Sequence, residues 1–108
     1  MLEKLKVSIN QDEYLELEGK KIKEEIIREG RYERRHHIDN GLHSQYFIDV
    51  IVKKEIWEVN NQTITVKVIE EYYSKDKPTI TKYSDEIMDL IINKGKSIDE
   101  VKKIFINN

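Results

Sequence analysis

The side chains best suited to chemistry in this 108-residue chain lie in one stretch, residues 28–43. This stretch contains every arginine and every histidine of the sequence, whereas positive charge elsewhere is carried by lysine. Guanidinium groups bind phosphate and carboxylate, and imidazole can ligate a metal or transfer a proton near neutral pH. We therefore expect any localised function to lie in this stretch.

Metal binding would use His36, His37, Asp39 and His43. A catalytic zinc site needs three protein ligands, and a structural site needs four. Neighbouring residues of a strand point to opposite faces, so His36 and His37 cannot converge, and Asp39 falls in a turn. We expect neither a metal nor a cofactor.

Metal-independent cleavage of RNA would use His37 and His43 as general base and acid, with Arg35 for the phosphate. This alternative stays open, although no catalytic motif surrounds the three residues. We expect a non-enzymatic protein with no catalytic residue.

Composition indicates one small α+β domain over residues 1–108, with 37% charged and 38% hydrophobic residues. A formal net charge of −2 and a pI near 5.9 disfavour non-specific nucleic-acid binding, which usually needs a basic excess. The chain has no cysteine, a charged N-terminal segment and no apolar run of membrane-spanning length. We expect a cytoplasmic protein without membrane association.

Codon bias shows in the composition, which has 17 isoleucines, 15 lysines, 7 asparagines, no alanine and one proline. Isoleucine, lysine and asparagine use AT-rich codons. We therefore expect a gene from an AT-rich genome, such as a low-GC bacterium, a phage or a mobile element.

The N-terminal third is predicted as a strand over residues 3–9 and a helix from Asn10 to Gly30. Leu15, Ile22 and Ile26 recur on one helical face, and charges at i,i+4 spacing lie on the others. An alternative makes residues 14–18 a strand and begins the helix after a glycine at position 19.

The middle of the chain alternates with a period of two and predicts a meander of strands 31–38, 42–59 and 62–73. Even-numbered residues of the second strand are apolar, and opposed residues of an antiparallel pair share a face. Even-numbered residues of the neighbouring strands, such as Tyr32 and Ile38, therefore join that apolar face only if the loops have an odd length. We therefore expect three-residue loops at 39–41 and 60–62, with Asn61 left-handed, and a bulge near Lys53 and Lys54 could adjust the phase. This register pairs Arg31 with Asp49.

The C-terminal third predicts an edge strand at 79–83, a helix capped by Ser84 that ends at Gly95, and a last helix with Ser97 and Glu100 as capping box. The fold class is thus α+β: an antiparallel meander sheet of three to five strands, packed on one face by the N-terminal helix and the C-terminal helix pair. This element order resembles small bacterial ribonuclease toxins in topology alone. Besides even-numbered strand residues, the predicted core contains Ile22, Ile26, Ile91, Val101 and Phe105.

The opposite face of the meander is the predicted binding surface. Arginine with exposed aromatic side chains is typical of protein-interface anchors, and also of sheets that stack RNA bases. We expect a small protein-binding module, such as an inhibitor or regulator from a phage or mobile element; the alternative is a single-stranded RNA-binding or RNA-cleaving domain, and a homodimer is a further option. The predicted binding residues are Arg31, Arg35, His37, His43, Gln45, Phe47, Asp49 and Tyr73.

Overall fold

Five antiparallel strands, hydrogen-bonded in chain order, form the sheet of this protein. The computed structural model describes residues 2–38, 42–73 and 77–106, with only the backbone described at 34–38 and 42–45. The strands are β1 (Glu3–Ser8), β2 (Tyr14–Ile38), β3 (Leu42–Val59), β4 (Gln62–Tyr72) and β5 (Thr79–Ser84). The helices are α1 (Asp85–Met88), which continues as a π-helical turn (Asp89–Asn93), and α2 (Ile98–Phe105).

The predicted N-terminal helix is wrong, because Tyr14–Ile38 forms a single 25-residue strand. Asn10 does cap a backbone turn, but its Oδ1 accepts the N–H groups of Asp12 and Glu13 in a tight turn between strands. β1 pairs with Tyr14–Gly19, and β3 pairs from Lys20 onward. The alternative was right about a strand at residues 14–18 and wrong about a helix after it. Loss of this helix also removes the resemblance to the ribonuclease toxins.

Two isoleucines of β2 lie at bulges. The pairing with β3 skips Ile22 and Ile27, so each is an extra residue without a partner opposite it. Ile22 and Ile26 are more than half exposed, which contradicts their predicted place in the core. The alternative of a bulge at Lys53 and Lys54 is not realised, since β3 and β4 pair without interruption.

Buried apolar residues form two clusters. The first combines strand residues with helix residues: Leu5, Val7, Leu15, Leu17, Trp57, Val59, Ile64, Val66, Val68, Ile87, Val101 and Phe105. The second consists of Ile48, Val50 and Val52, with Ile69 packed against it. Trp57 and Val52 are an odd number of residues apart on the unbroken β3, so the clusters lie on opposite faces. We call the face of Trp57 the core face and that of Val52 the reverse face.

The turn between β3 and β4 has two residues, because Val59 pairs with Gln62. Asn60 and Asn61 have φ of 52° and 63°, as a type I′ turn requires, and asparagine tolerates this left-handed conformation. The predicted left-handed Asn61 is confirmed, and the predicted three-residue loop is wrong. The shorter turn shifts every β3–β4 pair by one residue.

The C-terminal elements follow their local signals. The Ser84 hydroxyl accepts the Ile87 N–H at the start of α1, and Ser97 and Glu100 form the predicted capping box of α2. Val101 and Phe105 are buried in the first cluster, as predicted for the core, and Ile91 packs against it. They meet the odd-numbered residues of β3, such as Trp57, and not the even-numbered face that the prediction assigned to the helices.

Two further features concern the shape and surface of the chain. Parts of β1 and β5 approach within 8 Å between Cα atoms, so the two edge strands of the sheet curl towards each other. None of the helices in the described ranges is long and apolar enough to cross a membrane.

Candidate functional site on the β2–β3 arm

A two-stranded extension of the sheet carries the predicted binding residues. β4 ends at Tyr72 opposite Asp49, whereas β2 and β3 continue to the pair Ile38 and Leu42. We call residues 31–38 and 42–49 the arm. Its β2 strand has β3 on one side, and the described residues place no strand on the other.

The predicted register of the arm is confirmed. Arg31 pairs with Asp49, Arg35 with Gln45, and His37 with His43. Opposed residues of an antiparallel pair share a face, so these positions lie on the core face where it extends beyond the buried first cluster. The side chains of the last four lie outside the described part, as do residues 39–41, including the predicted loop conformation of Gly41. Their role in binding stays a prediction.

Arg31 and Asp49 form the one predicted cross-strand ion pair whose side chains are described. The Arg31 Nε–H donates to an Asp49 carboxylate oxygen across 3.0 Å, with both side chains largely exposed. This hydrogen bond raises the pKa of Arg31 above its ordinary value, and the nearby negative charge acts in the same direction. The pair partly neutralises the charge of the arm and holds the Arg31 guanidinium beside Asp49.

Phe47 is the exposed apolar group of this surface. It lies opposite Glu33, two residues from Asp49 on the same face, and 62% of its area is exposed. Burying a phenylalanine contributes about 1.5–3 kcal/mol, so this ring can serve as an anchor for a partner. Trp57, on the same face of β3, is buried in the first cluster.

Tyr73 does not belong to the same face. Asp49 pairs with Tyr72, so the next residue, Tyr73, points to the reverse face, where its ring lies 6.4 Å from that of Tyr46. The prediction placed it one residue out of register because it assumed the longer loop after β3. Tyr73 therefore lies beside Tyr46 and not beside Phe47.

A buried charge that the prediction missed lies on the core face of β3 between Trp57 and the arm. Glu55 is 4% exposed and accepts the indole N–H of Trp57 across 2.8 Å. Lys21 Nζ lies 3.5 Å and Lys82 Nζ 3.9 Å from its carboxylate oxygens. Glu55 thus has three partners, as a buried carboxylate requires.

The ion pairs continue from Glu55 towards the arm. Lys21 also bonds Glu24 at 2.8 Å, and Lys53 lies between Glu24 at 3.2 Å and Glu70 at 3.0 Å. Hydrogen bonds from Lys21 and Lys53 lower the pKa of Glu24, and those to Glu70 and Glu24 raise the pKa of Lys53. We call these five residues the charge ladder. The sequence signal for it is that Glu55 has the same parity as Trp57 on β3.

The remaining candidate chemistry was a metal site. No three histidine or acidic side chains among those described are grouped to hold an ion. The candidate ligands His36, His37, Asp39 and His43 lie outside that description, so the expectation about them stays untested. No family model matches the chain, and no curated protein or solved structure is significantly similar to it.

Proposed function

We propose that this chain is a non-enzymatic protein-binding module that takes its partner on the core face of the arm. The observation that carries the proposal is the exposed Phe47 beside the Arg31–Asp49 pair, at the point where β4 stops. An aromatic anchor with a polar rim is typical of protein interfaces. A net charge of −2 and an arginine already paired with an aspartate disfavour a phosphate-binding surface.

The edge of β3 indicates the form of the partner. Residues 42–48 of β3 pair with β2 on one side. On the other side the described residues place no strand, because β4 ends opposite Asp49. Such an edge leaves main-chain N–H and C=O groups available, and an extended peptide can add to it as a further strand. If a partner segment added there as a strand, every second one of its side chains would lie on the core face, the face that carries Phe47.

Affinity capture from cells of the native source tests the proposal. Phe47→Ala removes the anchor, and Ile92→Ala is the matched control, because Ile92 is 68% exposed on the π-helical turn and lies outside the arm. We expect one protein to be captured by the wild type and the control, and to bind the Phe47 variant about 5- to 30-fold more weakly in titrations. Equal binding of that protein to both variants would exclude this surface.

Single-stranded RNA binding or cleavage is the competing function. It predicts a mobility shift with mixed RNA that weakens steeply as salt rises, because phosphate contacts release counterions. RNA binding would replace the proposed function if two results came together. The mobility shift would be salt-dependent and would be lost on double charge reversal at Arg31 and Arg35, and affinity capture would recover no protein.

A further inference from the structure

The outer edge of β2 is open over most of its length. β1 covers this edge only along Tyr14–Gly19, and from Lys20 to Ile38 the described residues place no strand beside it. An open edge presents unpaired main-chain donors and acceptors, which favour pairing with another strand. Proteins usually block such edges with lysine, proline or bulges.

The two halves of this edge differ in protection. Residues 20–27 contain three lysines and both bulges, Ile22 and Ile27, so a second strand cannot pair regularly with them. Residues 28–38 contain no lysine, proline or bulge, and pair regularly with β3. The second half is therefore an unprotected strand edge.

The sequence of the second half is complementary to itself. Two copies that pair antiparallel around a two-fold axis at Tyr32 place Arg31 opposite Glu33 and Glu29 opposite Arg35. Every such pair joins opposite charges on the core face.

Neighbouring registers are worse. With the axis at Arg31, Glu29 lies opposite Glu33 of the second copy, and the two copies of Arg31 face each other. With the axis at Glu33, Arg31 lies opposite Arg35, and the two copies of Glu33 face each other. Both registers oppose like charges. An axis at residue 30 meets the Ile27 bulge after a few pairs, and one at residue 34 opposes two arginines. A two-fold axis between two residues would oppose even-numbered residues to odd-numbered ones. Such residues lie on different faces of the sheet, whereas opposed residues of an antiparallel pair share a face.

We propose that two copies of this chain associate through residues 28–36 of β2, antiparallel and with the two-fold axis at Tyr32. The two sheets then form one continuous sheet, and Arg31 lies between Asp49 of its own chain and Glu33 of the second copy. Arg31 bonds Asp49 through Nε, and its guanidinium has further N–H groups for a second carboxylate. This interface uses the outer edge of β2, whereas the proposed partner segment adds to the edge of β3, and Arg31 borders both sites.

A charge-swap experiment tests the pairing on the full chain. Glu29 lies opposite Ile51 and Arg35 opposite Gln45 within the chain, so reversing either charge breaks no pairing with a charged β3 residue. Because of the two-fold axis, Glu29 lies opposite Arg35 twice in the interface. Glu29→Arg alone, or Arg35→Glu alone, therefore creates two like-charge pairs. The double variant Glu29→Arg/Arg35→Glu restores opposite charges, and so does an equimolar mixture of the two single variants.

The readout is the molar mass in light scattering over a concentration series. We expect the wild type at twice the 13.0 kDa of one chain, and a dimer dissociation constant raised about tenfold or more in each single variant. The mixture and the double variant should return to the dimer mass. A wild type that stays at 13.0 kDa, or single variants that dimerise as well as the wild type, would overturn the proposal. Circular dichroism of each variant shows that a monomer is folded.

Discussion

Replacement of Glu55 by alanine should destabilise the protein more than any exposed substitution on β3. The carboxylate is buried and accepts the indole N–H of Trp57, so Glu55→Ala leaves a buried donor without its partner. Lys21 and Lys82 also lose their contacts with it, but both side chains are partly exposed and can turn to water. The loss of the indole hydrogen bond therefore dominates.

The magnitude follows from these contacts. A hydrogen bond to a charged group contributes about 1.5–3 kcal/mol, and the removed methylene adds about 0.8 kcal/mol. The exposed lysines contribute little. We expect Glu55→Ala to lower the free energy of unfolding by about 2–4 kcal/mol. Glu55→Gln keeps an oxygen that can accept from Trp57, and should cost only about 1 kcal/mol.

Urea unfolding followed by fluorescence measures this directly, because Trp57 is the only tryptophan of the chain. Glu58→Ala is the control, since Glu58 is exposed on the same strand and should change stability by less than about 0.5 kcal/mol. The urea midpoint of Glu55→Ala should fall by about 1–3 M. If it falls no further than that of the control, or if Glu55→Gln is as unstable as Glu55→Ala, the indole hydrogen bond does not stabilise the core.

Two further predictions concern the charge ladder and a close strand contact. Because the pKa of Glu24 is lowered on folding, its contribution is present above about pH 4.3 and is lost as the pH falls through the folded pKa. The raised pKa values of Lys21 and Lys53 give a contribution that is complete below about pH 10.4 and is lost at higher pH. Unfolding free energies measured from acid to alkaline pH should show both losses, and an equally steep acid loss in Glu24→Gln would contradict this assignment. Gly19→Ala should destabilise by about 1–3 kcal/mol, because a Cβ there would lie 2.6 Å from a carbonyl oxygen of β3; a thermal midpoint unchanged from the wild type would show that the strands can separate without cost.

The failed helix shows where local pattern stops being informative. Isoleucines at 22 and 26 match one helical face, yet two residues four positions apart also lie on one face of a strand. Pairing with β1 and β3, which are distant in sequence from much of β2, decides between the two. The inference from periodicity therefore failed where long-range hydrogen bonds replace local ones.

The candidate site was predictable to a greater extent. Alternation along β3 and the odd loop at 39–41 were enough to pair Arg31 with Asp49 and His37 with His43. The error at Tyr73 came from one turn, because Asn60 and Asn61 suit a two-residue type I′ turn and also occur in longer loops. One residue of turn length moved Tyr73 to the other face.

Features that depend on neighbouring residues were predictable from the sequence: the alternating strands β3 and β4, the cap at Ser84, the capping box at Ser97, and the register of the arm. These depend on side-chain alternation and on side chain–backbone hydrogen bonds a few residues apart. Contacts between distant parts of the chain decide that residues 19–30 belong to a strand, that apolar clusters form on both faces of the sheet, and that Glu55 is buried with partners from β2 and β5. Each of these outcomes depends on which distant strand supplies the opposing side chain, and no local pattern specifies that strand.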